Sequence, residues 1–130
     1  MHLKSEKGQA MVEFALVLPI LLLLLCCIID FGWIFGNQLL ANNASREAAR
    51  YTAIHYYDSS TDDDQTIAAG IVTARAPTLN SPTVILIKSV LGDSITVNVN
   101  SSVSLLTPII SAMFPDGEYS VTAQCIMRLE

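Results

Sequence analysis

Side chains that could support acid–base, nucleophilic or metal chemistry are few in this sequence and lie far apart. Its two histidines are His2, near the N-terminus, and His55, beside Tyr56 and Tyr57. A solvated residue in the last turn of a helix is a simpler interpretation of His55 than a metal ligand. No motif groups a nucleophile with a base and an orienting residue. We therefore predict that the protein is not an enzyme and uses no cofactor or metal.

The densest acidic run consists of Asp58 and the consecutive Asp62, Asp63 and Asp64. It lacks the glycine and the closing glutamate of a calcium loop. Acids at the start of a helix are stabilised by its dipole, so capping is the better interpretation. We expect Asp62 or Asp63 to cap a helix that begins near Asp64.

The three cysteines provide no framework of disulfide bonds. Cys26 and Cys27 lie in an apolar run, where they behave as small hydrophobic residues, and the remaining cysteine is Cys125. An intermolecular bridge through Cys125 is the alternative. We expect the domain to fold without intrachain disulfide bonds.

Glu13 is the one carboxylate in the apolar run from Met11 to Ile29, which is otherwise broken only by Pro19. As a helix this run would be about 28 Å long, close to the roughly 30 Å of a hydrocarbon core. A carboxylate within such a helix costs up to about 3 kcal/mol unless it is paired or reaches water. Glu13 therefore either has a partner or extends to the lipid headgroups, and its position leaves both interpretations open.

Basic residues around the apolar run predict its orientation. Lys4 and Lys7 precede it, and the first basic residue after it is Arg46. This asymmetry favours a cytoplasmic N-terminus and an exported C-terminal domain. No A-x-A-like cleavage site follows the run, so we expect the anchor to be retained. Residues 31–130 contain five basic and nine acidic residues, which excludes a nucleic-acid interface of the usual basic kind.

The helical pattern continues beyond the membrane segment. No proline interrupts residues 20–76, so one helix of roughly 70 Å can extend from near Met11 to near Tyr56. Glu47 and Arg50 are three residues apart and can pair across one turn. An apolar stripe about 80° wide follows one side of this helix: Trp33, Leu40, Ala44, Ala48 and Tyr51.

Small and aromatic residues mark the outer end of the span. Gly32 and Gly36 form a G-x-x-x-G pattern, which allows two helix backbones to approach closely. A flexible turn at the interface is the alternative. Trp33 and Phe35 lie where an aromatic belt is expected at the outer membrane surface.

The remaining sequence predicts a second, short helix. It would extend from Asp64 to Ala76, where Pro77 ends it, and Gly70 in its middle weakens the pattern. A weak apolar face is expected to pack on the domain: Ile67, Ile71, Val72 and Ala74.

Beyond Pro82 the apolar period changes to two, which is typical of half-buried strands. Three segments have this alternation of apolar and polar residues or lie next to a segment that has it: Val84 to Leu91, Ile95 to Val99, and Tyr119 to Leu129. Gly92 and Asp93 predict a hairpin between the first two. A short apolar helix or loop is expected from Leu105 to Phe114. The predicted fold class is α+β, in which a long N-terminal transmembrane helix extends into a small domain with a three-stranded antiparallel sheet.

The residues from Lys7 to Pro19 resemble the N-terminus of TadE-like pseudopilins of the bacterial tight-adherence (Tad/Flp) type IV pilus system. The stretch reads KGQAMVEFALVLP. It has a short basic leader ending in Gly8, Glu13 at the fifth position after it, Phe14 next, and a Leu-Pro step. The resemblance continues more loosely through Asp30-Phe31-Gly32, the Glu47–Arg50 segment and the C-terminal residues 127–130.

This resemblance implies processing by a prepilin peptidase between Gly8 and Gln9. Residues 1–8 would be lost, and Glu13 would become the fifth residue of the mature chain. Its carboxylate would then meet the new N-terminal amine of the same or an adjacent subunit during assembly. Pro19 lacks an N–H and can locally loosen the helix. The implied fold is pilin-like.

The resemblance also implies a minor pseudopilin, because the major Flp pilins are very short and this chain has about 75 residues beyond its helix. Implied partners are the major Flp pilin, TadF-like pseudopilins, the prepilin peptidase, the inner-membrane assembly platform and the lipid bilayer, with no direct contact to nucleic acid. The expected location is the bacterial cytoplasmic membrane, with incorporation into an extracellular pilus that supports adhesion. An uncleaved single-pass membrane protein that presents the sheet domain to a ligand is the alternative.

The sequence divides into five expected parts. They are a leader at residues 1–8, a transmembrane helix at 9–30, an extramembrane continuation of that helix at 31–57, an acidic loop with a short helix at 58–82, and the sheet region at 83–130.

Overall fold

The chain folds into one long helix, a shorter helix and a small sheet. The computed structural model describes residues 3–55 and 64–129. Its elements in chain order are helix α1 at Leu3–His55, α2 at Asp64–Arg75, strands β1 at Asn80–Lys88 and β2 at Ser94–Ser104, the short helix α3 at Pro108–Ser111, a 3-10 turn at Pro115–Gly117, and β3 at Glu118–Arg128. The sheet is antiparallel with the order β1-β2-β3. The predicted fold class is therefore confirmed.

Helix α1 starts earlier than its apolar run. It has 53 residues, about 80 Å at the rise of an α-helix, and it begins at Leu3 where the sequence predicted a start near Met11. The residues before the run are mostly strong helix formers, so the helix has no reason to begin at the hydrophobic boundary. Pro19 lies inside it. The end near Tyr56 and the caps expected at Asp62 or Asp63 lie outside the described residues.

The second half of α1 packs on the sheet and α2 through small side chains. Ala41, Ala44, Ala48 and Ala49 are fully buried, whereas Leu40 is 37% exposed. Leu40, which belongs to the predicted apolar stripe, therefore lies outside the buried face of α1. Alanines bring the helix axis close to its neighbours, and a leucine in their place would hold the layers apart.

Polar residues share this buried face of α1 with the alanines. Asn37, Ser45 and Thr52 are each at most 2% exposed. Their donors reach carbonyl oxygens of the same helix, at 2.9 Å for Asn37 and Ser45 and 2.8 Å for Thr52. Thr78, which follows α2, also donates to the Asn37 side-chain oxygen. Because these groups are hydrogen-bonded, their burial costs little.

The face that helix α2 packs on the domain overlaps the predicted one: Val72 is buried and Ile71 is half-buried against the core, whereas Ala74 is exposed. Ala68, Val72 and Ala76 are buried at four-residue intervals, and Ile67 is exposed. Arg75 at the end of α2 pairs with Glu47 of α1 across 2.6 Å. The sequence had predicted that Glu47 pairs with Arg50; in the structure its partner is a residue of another element.

The sheet lies lengthwise along α1, so that its two ends are at different heights on the helix. Val97 at the centre of the sheet is paired with Leu86 on β1 and Cys125 on β3. The inward side chains form a compact apolar layer: Val84, Ile95, Val97, Val99, Val103, Val121 and Ala123. The β1–β2 turn contains Gly92 with a φ of 71°, a conformation that glycine adopts without strain.

Strand β1 is shifted from its predicted position. It ends at Lys88 and not at Leu91, because Ser89 closes the turn by accepting the Gly92 N–H at 2.9 Å. Val90 and Leu91 consequently lie in the turn and are exposed.

Candidate assembly site on the N-terminal helix

The apolar part of α1 is fully accessible in the isolated subunit. Among the described residues one helix, Glu6–His55, is long and apolar enough to cross a membrane. Its most apolar 18-residue window has a mean hydropathy of 2.9, and no part of that window is buried within the protein. A core helix of a globular protein would bury such a segment. The environment that covers it must come from outside the chain, as for a single-pass membrane helix.

Gly8, Gln9 and Glu13 lie on one continuous stretch of α1. The side-chain amide of Gln9 donates to the Glu13 carboxylate at 3.2 Å, as the four-residue spacing on a helix allows. All three residues are exposed, and a Cβ built on Gly8 meets no atom within 4 Å. The bond on either side of Gly8 is therefore sterically open in the subunit.

Phe14 and Pro19 lie on the accessible part of the same helix. Phe14 is exposed, and Pro19 removes one backbone donor without ending α1. The structure places these residues together with Gly8, Gln9 and Glu13 in the first third of α1, away from the sheet domain.

Gly32 and Gly36 form a second, separate group. A Cβ built on either glycine meets no atom within 4 Å, and at 100° per residue Gly32 and Gly36 lie about 160° and about 120° around the helix from Asp30, which faces the domain. The helix is continuous across both glycines, so the alternative of a flexible turn at this position is wrong. Nineteen residues separate Glu13 from Gly32, about 28 Å along the helix. The predicted site residues thus form two patches on one rod.

These features coincide with the part of the chain that is similar to known proteins. Residues 8–50 match the family of TadE-like proteins. The resemblance in the N-terminal residues is therefore confirmed, and the match begins at Gly8. The matched residues all lie on helix α1. Comparison with curated proteins and with solved structures finds no significant match.

Sequence reasoning assigned no role to Asp30, which the structure places at the junction between the apolar run and the domain. This residue of the TadE-like segment is 2% exposed. Its Oδ1 accepts the backbone N–H of Leu106 at 2.9 Å and that of Thr107 at 3.2 Å, and its Oδ2 accepts the Thr107 hydroxyl. A carboxylate can be buried without a cation when donors surround it in this way. Its place directly after the apolar run was the available signal.

Two further side chains of the TadE-like segment attach α1 to the sheet. The Trp33 indole N–H donates to the carbonyl oxygen of Ser104 at 3.1 Å, and the Gln38 amide donates to that of Thr122 at 2.7 Å. Trp33 is half-buried against the core, whereas Phe35 is exposed. Of the two residues predicted for an aromatic belt, only Phe35 is therefore fully available to lipid.

Open surface depressions lie next to the TadE-like segment. An open groove of 590 Å³ is lined by Arg46, Arg50, Ile54 and Met127, among others. Among the described residues no three metal-ligating side chains converge. His55 stacks on Tyr51 with ring centroids 4.1 Å apart, and its Nδ1 donates to the Tyr51 carbonyl oxygen at 2.9 Å. This bond holds the ring within the last turn of α1.

Proposed function

We propose that the protein is a minor pseudopilin of a tight-adherence pilus, cleaved by a prepilin peptidase between Gly8 and Gln9. The observation that carries the proposal is that the TadE-like match begins at Gly8, the residue after which cleavage is expected. The mature subunit would join or prime the pilus together with the major Flp pilin and TadF-like subunits, and so support adhesion.

The position of Glu13 supports a role in assembly. After cleavage the new amine belongs to Gln9, four residues before Glu13 and on the same side of the helix, as the Gln9–Glu13 hydrogen bond indicates. An ammonium and a carboxylate removed from water together cost much less than either one alone. The same carboxylate can reach the amine of an adjacent subunit whose N-terminus lies at the same depth.

The accessible glycines supply the second element of the proposed mechanism. Gly32 and Gly36 are two positions without a side chain on the accessible surface of α1, and nothing in the chain packs against them. A helix of a neighbouring subunit can approach this strip closely. The subunit would therefore contribute its helix to a bundle while its sheet stays at the periphery.

Intact mass spectrometry of the protein extracted from membranes tests the processing step. We expect a mass that corresponds to residues 9–130, together with a form lighter by one ammonia if Gln9 cyclises. A strain without the prepilin peptidase should retain the full-length mass. A chain that still contains residues 1–8 in the wild-type strain would contradict the proposal and favour the uncleaved membrane binding protein.

Substitution at the cleavage position provides a matched comparison. Gly8→Leu should block processing, because a prepilin peptidase has to accommodate the residue before the scissile bond. Gly70→Leu should leave processing unchanged, since Gly70 is an exposed glycine of α2 in the domain. Normal cleavage of the Gly8 variant would place the processing site elsewhere.

A further inference from the structure

The loop between β2 and β3 exposes an unusual number of apolar side chains. Leu106 is 55% exposed, Ile109 51% and Met113 77%. Residues 105–115 contain no charged side chain. Scattered apolar residues on a surface need no explanation, but a contiguous uncharged group of them usually marks a contact. We refer to residues 105–115 as the apolar loop.

The apolar loop is held at the level where α1 leaves its apolar run. Its residues Leu106 and Thr107 donate to Asp30, and Asp30 directly follows Ile29, the last residue of the run. Helix α3 within the loop also contacts α1. The attachment therefore fixes the height of the loop relative to the membrane span.

The difference in exposure between two adjacent cysteines indicates that α1 is covered on its domain side one turn before Asp30. Cys26 is one turn before Asp30 on the same side of α1, about 6 Å nearer the centre of the run. It is half-buried, whereas the adjacent Cys27 is exposed. The two side chains are identical and have similar helical neighbours, so the difference is explained by cover on the domain side of α1.

The loop has a defined internal structure. The N–H of Ser111 donates to the Thr107 carbonyl oxygen at 3.0 Å, and that of Met113 donates to the Ile110 carbonyl oxygen at the same distance. The Phe114 ring packs edge-on against Tyr119, with centroids 6.2 Å apart. Met113 and Ile109 are therefore displayed outward from an ordered support.

We propose that the apolar loop is a second membrane contact, which inserts its side chains into the bilayer surface beside α1. The occupant is lipid because the patch is continuous with the membrane span, is uncharged and lies at the end of the hydrocarbon-length segment. The inference rests on α1 spanning a bilayer. It depends neither on cleavage nor on assembly, so its failure would leave the proposed function untouched.

The β1–β2 turn provides an internal control with similar chemistry. Val90 is fully exposed and Leu91 nearly so. This turn lies at the other end of the sheet, because Ser94 pairs with Arg128 and Arg128 lines a groove with Ile54 of α1. Asp30 and Ile54 are 24 residues apart, about 36 Å along the helix. Lipid should therefore contact one apolar turn of the sheet and not the other.

Photocrosslinking of the full chain tests the proposal. A benzophenone amino acid is introduced at Met113 in one variant and at Val90 in another, with Phe31 on the exposed surface of α1 as the positive control. Each variant is placed as a single copy in nanodiscs of phosphatidylethanolamine and phosphatidylglycerol, irradiated and analysed by intact mass. We expect lipid adducts at positions 113 and 31 to exceed those at position 90 several-fold.

Other results of the same experiment overturn the proposal. Equal lipid adducts at positions 113 and 90 would show that the apolar loop has no special access to the bilayer. In a parallel set of larger discs that hold two or more copies, protein–protein adducts at position 113 in place of lipid adducts would identify a second copy of the chain as the occupant. Ile109 serves as a second labelling position if the variant at Met113 does not fold.

Discussion

Asp30 and Thr107 are 77 residues apart in the sequence, and they meet through both a backbone and a side-chain hydrogen bond. Together with the Leu106 N–H, these bonds fill both oxygens of a carboxylate that has no cationic partner in an ion pair among the described residues. The contact attaches the domain to α1 at the end of the apolar run. The attaching group is a carboxylate, which hydrogen-bond donors stabilise only when they lie at suitable positions.

Removing this carboxylate should destabilise the domain. Asp30→Ala removes the acceptor of the Leu106 and Thr107 N–H groups, and we expect a loss of about 1–3 kcal/mol in the free energy of unfolding. Fluorescence of Trp33, the single tryptophan, during denaturation in detergent measures it. Asp93→Ala, an exposed aspartate of the β1–β2 turn, is the control and should change little. Equal stability of both variants would mean that the Asp30 hydrogen bonds are not needed.

The small side chains on the buried face of α1 predict an unusual response to enlargement. Ala48→Leu should cost about 1–3 kcal/mol of stability, because the helix and sheet have no room for the added atoms. Ala74→Leu, at an exposed alanine of α2, should stay within about 0.5 kcal/mol of the wild type. Leu40→Ala should cost less than the 2–5 kcal/mol or so typical of a buried leucine. A larger loss of stability for Leu40→Ala than for Ala48→Leu would mean that Leu40 lies on the buried face of α1 and Ala48 on the exposed face.

Gly36→Ala should have opposite effects on the subunit and on its assembly. Alanine favours the helix by up to about 1 kcal/mol over glycine, and the structure leaves space for its methyl group. The isolated subunit should therefore become slightly more stable, while association of its helix with other subunits weakens. Gly70→Ala is the matched control, since it offers the same helical gain without lying on α1. Disulfide trapping of neighbouring helices or pull-down of pilus subunits measures association, and an unchanged yield for Gly36→Ala would argue against the packing strip.

Glu13→Ala should impair assembly while leaving the sheet domain folded. Pairing with the new amine requires the carboxylate, so piliation should fall to near the level of a strain lacking the protein. Glu6→Ala is the control: it removes a carboxylate from the same helix, but from the part that the proposed processing would discard. Piliation and subunit incorporation are counted by microscopy and by blotting sheared filaments. Normal pili in the Glu13 variant would indicate that its side chain only extends to the headgroups.

The sequence predicted the parts of the fold that depend on apolar periodicity. The alternation around Ile95–Val99 and Val121–Cys125 predicted the strands correctly, because each has one face in the core. The candidate site was predicted from the resemblance to a family, through the spacing of Gly8 and Glu13. The pairing of Glu13 with the amine of Gln9 and the cleavage after Gly8 remain predictions.

Features that depend on tertiary contacts were missed or misplaced. The predicted apolar stripe includes Leu40 and omits Asn37, Ser45 and Thr52. Polar side chains are buried only where hydrogen-bond partners are in place, and apolar periodicity does not show where those partners lie. Glu47 forms an ion pair with Arg75, 28 residues away, because the fold brings α2 alongside α1. No local rule predicts such a contact.

Fastening at Asp30 has a mechanical consequence. Helix α1 passes without a break from its apolar run into the domain, and the sheet is attached to it from the level of Asp30 onward. The described part of the domain therefore has no hinge of its own beyond the span. A lean of about 20°, common for membrane helices, would sweep the far turn of the sheet sideways by ~12 Å over its ~36 Å height. Pro19 lies inside the apolar run and is then the natural place for bending. A change in helix direction at this residue would change the orientation of the whole sheet domain.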